Sequence, residues 1–135
     1  MPLIRTLGYA GVIPFVALAI ATHRPDLIAF DVSHNLFMLY SCLILGFMAG
    51  VLWPVLFNTD KPAHFALIAV SFPVISFISL ALLPHLAIMI QAGLFLTLRL
   101  TESLYGIDQR YPSGYSSLRW QLTVIVCLAH IIVLI

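Results

Sequence analysis

Apolar residues run in blocks of about twenty along this chain, five times over, with short polar interruptions between them. The blocks lie at about 5–21, 36–57, 64–83, 85–101 and 117–135. A helix rises about 1.5 Å per residue and the hydrocarbon core of a bilayer is about 30 Å thick, so roughly 20 apolar residues suffice to cross it. The pattern therefore predicts an all-α fold, an integral membrane five-helix bundle that occupies residues 1–135 as one transmembrane domain. Breakers agree with these limits. Pro25 follows the first block, Asn58-Thr59-Asp60-Lys61-Pro62 forms a polar turn after the second, and Leu83-Pro84-His85 separates the third from the fourth. So tight a connection makes blocks three and four an antiparallel hairpin. The longest interruption, about 102–116, carries Asp108, Arg110, Pro112 and Gly114. Pro14, Pro54 and Pro73 fall inside blocks, where neighbouring helices can satisfy the carbonyls that proline frees. An odd number of helices argues against two inverted halves within one chain.

Composition strengthens this reading. Hydrophobic residues make up 62% of the 135 and charged residues 8%, far too few charges for a water-soluble domain of this size. Mean hydropathy is +1.11. A net charge of +1 excludes the dense basic surface that nucleic acid requires. Both cysteines, Cys42 and Cys127, sit inside blocks and read as buried free thiols. The first block has Arg5, an apolar run and a small-residue Ala19-Ile20-Ala21 ending, the outline of a signal peptide. It is expected to be retained as a helix.

Cations set the expected sidedness. If five helices alternate, Arg5, Lys61, Arg99, Arg110 and Arg119 fall on one side and only Arg24 on the other. The positive-inside rule then places the N-terminus in the cytoplasm and the C-terminus outside. The expected location is a bacterial inner (plasma) membrane, or the mitochondrial inner membrane in a eukaryote, with the matrix as the inner side.

Three groups of residues are candidates for chemistry or packing. In the second block Gly46 and Gly50 bracket Gly46-Phe47-Met48-Ala49-Gly50, with Cys42 one turn earlier and Trp53 about one turn later. Glycines at this spacing let a second backbone approach, inside the bundle or at a homodimer seam. A polar track comes next. Arg119, Thr123, Cys127 and His130 lie nearly in line on the last helix, and Gln91 lies eleven residues before Glu102, close to one line on the fourth. Arg99 and Glu102, three apart, can pair on one face. Gln91, Arg99, Glu102, Thr123 and His130 could thus line a proton or solute path, or Arg99 could snorkel to the headgroups with a local partner. Finally, His23, His34, His85 and His130 map to the outer half, and imidazoles converging there could ligate a metal or haem iron. No tight ligand motif supports that site, so no cofactor is the primary expectation. Trp53, Tyr105, Tyr111, Tyr115 and Trp120 cluster at the predicted inner interface as an aromatic belt. Walker, G-x-S-x-G and H-E-x-x-H signatures are lacking, so the chain does not read as an enzyme.

Three segments carry a resemblance to a known family. They are the opening Leu7-Gly8-Tyr9-Ala10-Gly11-Val12-Ile13-Pro14-Phe15, the second block from Tyr40 to Trp53, and Gly114-Tyr115-Ser116-Ser117-Leu118-Arg119 leading into Leu122-Thr123-Val124. Together they resemble the transmembrane protein 69 family, a domain of unknown function in bacterial inner membranes and mitochondria. The chain departs from the family pattern at Ala49-Gly50, where a glycine pair is usual, and at Leu52, where a histidine is usual. The resemblance implies a membrane fold and location but no activity or site. The expected function is a non-enzymatic accessory or assembly subunit of a membrane complex, with the lipid bilayer and a membrane-protein partner or a homo-oligomer as its contacts. The alternatives are a small oligomeric transporter or channel and an outer-face haem- or metal-binding protein.

Overall fold

A segment surrounded by apolar matter can leave no backbone group unpaired, and the helix satisfies them all from within. The computed structural model, which describes residues 2–50, 52, 63–106, 111 and 114–135, accordingly contains five helices and no strands among those residues. They are α1 (Pro2–Ala21), α2 (Phe30–Gly50), α3 (Ala63–Leu82), α4 (Ala87–Leu104) and α5 (Tyr115–Leu134). Four of them, α1, α2, α4 and α5, are long and apolar enough to cross a membrane, and α3 has a shorter apolar stretch, Leu67–Leu82.

Helix ends are where hydropathy predicted least well. The second helix begins at Phe30, six residues earlier than its apolar block, and takes in Asp31, Ser33 and His34. One local interaction favours the earlier start. The Asp31 carboxylate lies in the first turn, where it favours the partial positive charge of the helix N-terminus. The Ser33 hydroxyl donates to the Phe30 carbonyl at 3.1 Å. Similarly, α4 continues to Leu104 rather than 101, which brings Glu102 into its last turn. The sharp α3–α4 connection is present: Leu83 N donates to Ser79 O at 2.8 Å and Leu86 N to Leu83 O at 3.0 Å. Trp53, Pro54, Lys61, the polar turn 58–62, Asp108, Arg110 and Pro112 lie outside the described residues.

The helices pack in chain order around a ring. Each touches the next, α5 closes onto α1, and α2 meets α4 across the centre. Phe15 of α1, Phe37 of α2 and Phe95 of α4 meet there edge to face, with Phe15 ring centroids 5.6 Å from Phe37 and 6.0 Å from Phe95. Such aromatic pairs contribute about 0.5–1.5 kcal/mol each beyond the area they bury. Two irregular positions sit against neighbours. Pro14 offers no N–H to the Ala10 carbonyl, and at the adjacent Gly11 the carbonyl accepts the Tyr40 hydroxyl from α2 at 2.6 Å. At the α2–α3 contact, a Cβ added to Gly46 would lie 3.7 Å from Pro73 Cβ.

Candidate functional site

The largest fully buried side chain among the described residues is an arginine. Arg99 and Glu102 stand three apart on α4, so their side chains share one face, and both are 0% exposed. Arg119, on α5 five residues after its N-cap Gly114, is also buried. Its fork closes on the carboxylate, Nε donating to Glu102 Oε2 at 3.2 Å and Nη2 standing 2.6 Å from Oε1. Arg99 Nη1 donates to Oε2 at 3.2 Å, and the Tyr111 hydroxyl donates to Oε1. Glu102 thus accepts from three residues, and the pairing joins the end of α4 to the start of α5.

Aromatic rings complete this cluster. Arg99 Cζ lies 4.8 Å from the Trp120 ring centroid, and Arg119 Cζ lies 5.6 Å from Tyr111 and 5.7 Å from Tyr115. Arg99 Nη2 also donates to Ser116 Oγ at 2.7 Å. Three residues of the expected aromatic belt, Tyr111, Tyr115 and Trp120, thus stand over the two buried cations. Arg99 is fully buried among these partners. Two glycines with positive φ, Gly106 at 72° and Gly114 at 86°, flank the connection that returns the chain to this cluster. Burial raises the Tyr111 phenol above the usual tyrosine range, an effect that Arg119 opposes and Glu102 reinforces. It therefore remains a neutral donor near pH 7.

A second polar group occupies the middle of the ring. His130 is 0% exposed, with its ring centroid 4.8 Å from Phe37, 5.7 Å from Phe95 and 5.8 Å from Phe15. Its Nδ1 lies 2.8 Å from the Val126 carbonyl and its Nε2 lies 2.8 Å from Ser41 Oγ. A carbonyl only accepts, so Nδ1 carries a hydrogen, and in a neutral ring Nε2 accepts from the Ser41 hydroxyl. Thr123 lies between Arg119 and His130 along α5, and Gln91 lies eight residues before Arg99 on α4; both are buried. Both amide atoms of Gln91, Thr123 Oγ1 and Ser76 Oγ have no hydrogen-bond partner among the described residues. Buried polar atoms of this kind are uncommon, because each forfeits its hydration.

The remaining candidates scatter. His23 is exposed and donates through Nε2 to the Ile132 carbonyl at 2.6 Å, while His34 stacks at a tilt on Phe30. His85 is exposed in the α3–α4 turn. No three His, Cys, Asp or Glu residues form a metal-binding group among the described residues. In the helix-packing group, Gly46 faces Pro73, but a Cβ on Gly50 would meet nothing within 4 Å. Cys42 and Cys127 are free thiols, each partly buried.

Sequence reasoning missed Ser41 as the partner of His130 and Tyr111, Ser116 and Trp120 as partners of the ion-pair cluster. No periodic signal marks Ser41, but the crowding of aromatics around Arg110 and Arg119 was a signal for these ring contacts. A family model described as "Protein of unknown function (DUF3429)" matches residues 1–135. No curated protein and no solved structure matches the chain.

Proposed function

Since the chain belongs to the DUF3429 family, proteins of unknown function, we propose on physical grounds that it is a multi-pass membrane protein working as a non-enzymatic accessory or assembly subunit of a larger membrane complex. The observation that carries this reading is the enclosure of Glu102, which accepts from Arg99, Arg119 and Tyr111 with none of its own surface exposed. The strongest charged cluster thereby joins helices and presents no reactive group outward. The helix faces left outside are apolar, as with Leu7, Leu43, Phe47 and Leu67, which suits lipid and other membrane helices. The proposed orientation has the N-terminus inside a bacterial plasma or mitochondrial inner membrane, following the bias of cations. Membership of the transmembrane protein 69 group is part of the same proposal. Blue-native electrophoresis of tagged protein in mild detergent tests the assembly. Migration within a larger complex is expected, and a free small species overturns it.

A second reading has an observation of its own. Gln91 on α4 and Thr123 on α5 are buried without hydrogen-bond partners among the described residues, on the helices that also carry His130 and the Arg99–Glu102–Arg119 cluster. From Arg119 to His130 is eleven residues, about 16 Å of helix. Polar side chains along that length suit a proton relay through one bundle, with no need of a pore formed between copies. In proteoliposomes, proton flux that falls when Gln91 is changed to Leu supports the relay. Flux no greater than that of empty vesicles removes it. Haem or metal binding at the histidines is the third proposal, and an absorption spectrum with metal analysis of purified protein tests it.

A further inference from the structure

A groove of about 330 Å³ runs between α1, α2 and α5, with Leu7, Gly8, Gly11, Phe47, Leu122 and Arg119 among the residues that line it. Its walls are almost wholly apolar. The rim residues Leu7 and Phe47 are 60% and 71% exposed, so the groove opens on the outer surface of the bundle and not into its core. Glycine keeps it open: a Cβ added at Gly11 would meet nothing within 4 Å. At one end the lining turns polar, with Tyr115 and Arg119. Arg5, exposed near the start of α1, extends its guanidinium to the same end, where Nη2 lies 3.9 Å from a Cβ built on Gly114. No ion pair of Arg5 occurs among the described residues, whereas Arg119 is held by Glu102. An apolar groove with a cation at one end matches the chemistry of a lipid, an apolar chain below an anionic headgroup.

We propose that this groove binds an anionic phospholipid of the surrounding membrane, with one acyl chain along Gly8 and Gly11 and the phosphate paired with Arg5. The inference rests on the bilayer reading above and goes beyond the assembly role. A lipid arriving sideways passes the exposed Leu7 and Phe47, and its headgroup remains near the helix end where Arg5 stands. The Tyr115 hydroxyl, which accepts from Arg119 Nη1 at 3.4 Å, retains its own hydrogen to donate to the same phosphate. Charge supplies the selectivity: a cation next to an anionic headgroup favours phosphatidylglycerol over zwitterionic phosphatidylcholine.

Native mass spectrometry of the delipidated, full-length protein titrated with each lipid tests this. Wild type is expected to retain phosphatidylglycerol about fivefold better than phosphatidylcholine, which corresponds to roughly 1 kcal/mol for one cation near an anionic surface. Arg5→Gln should abolish the preference while leaving phosphatidylcholine binding unchanged. Gly11→Leu should weaken both lipids, because its side chain fills the groove, and helix propensity favours it over glycine. Equal binding of the two lipids by wild type overturns the proposal, as does undiminished phosphatidylglycerol binding in Gly11→Leu. A Gly11→Leu protein that changes oligomeric mass while keeping its lipid also overturns it and assigns the groove to a second copy. Carbonate-resistant flotation of wild type with vesicles checks membrane insertion separately, so failure of lipid selectivity is distinguishable from failure of the bilayer reading.

Discussion

Glu102 holds two arginines together inside an apolar bundle, and removing its charge leaves both without it. Breaking one partner out of a buried ion pair costs about 3–5 kcal/mol, because the remaining charge stays desolvated. Glu102→Gln should therefore lower the thermal unfolding midpoint in detergent sharply. Tyr111→Phe removes only one donor to a charged acceptor, a loss of about 1.5–3 kcal/mol, and should shift the midpoint less. If the two variants unfold alike, the carboxylate is not the hub of this cluster. Far from it, the exposed Arg24–Asp26 pair gives a pH signature. The Arg24 side chain, aided by the backbone of Asp26, holds that carboxyl below its ordinary 3.8. A depressed folded value means that the contribution is present above pH 3.8 and is lost as pH falls through the lower folded value. Carboxyl NMR should show the Asp26 midpoint rise toward 3.8 in Arg24→Gln. These residues were unequally legible. Arg99 with Glu102 followed from helical spacing, but the closure of Arg119 on that carboxylate depends on two helices meeting.

At the scale of elements, α2 and α3 approach where Gly46 faces Pro73, with room for a methyl group at 3.7 Å. Gly46→Ala should leave the bundle intact and raise its stability by up to about 1 kcal/mol, since glycine is the poorer helix former. Gly46→Leu needs more space than that contact leaves and should destabilise. Circular dichroism melts of the two variants check the ordering, and a stable Gly46→Leu protein contradicts the packing. The small-residue pattern was legible as a motif, yet among the described residues only Gly46 of its two glycines meets a neighbour. Sequence spacing gives the face of a residue on its helix, and the partner across the gap belongs to another part of the chain. Helix starts were hard to read for a different reason. The second helix begins where Asp31 supports its first turn, an effect that average hydropathy over a block does not register.

At the scale of the whole molecule, the proposed sidedness makes a direct prediction. In a background with Cys42 and Cys127 replaced by alanine, Asp26→Cys should react with an impermeant maleimide added to intact cells. Lys61→Cys should react only after permeabilisation, and the reverse result inverts the topology. The ring closure of α5 on α1 also brings Arg5 near Gly114, across more than a hundred residues of chain. Neither charge bias nor hydropathy contains that proximity.

Helix number, approximate position and the polar stripe of Arg119, Thr123, Cys127 and His130, buried except for the half-buried Cys127, were determined by the chain alone. Each arises from local rules, the length of an apolar run and the repeat of 3.6 residues per turn, and these need no neighbour to operate. Only tertiary structure decided that Ser41 meets His130, that Tyr111 and Trp120 enclose arginines, and that Gly11 borders an open groove. Those outcomes depend on which faces of separate helices come together, a matter of packing between segments far apart in sequence, which no local pattern encodes.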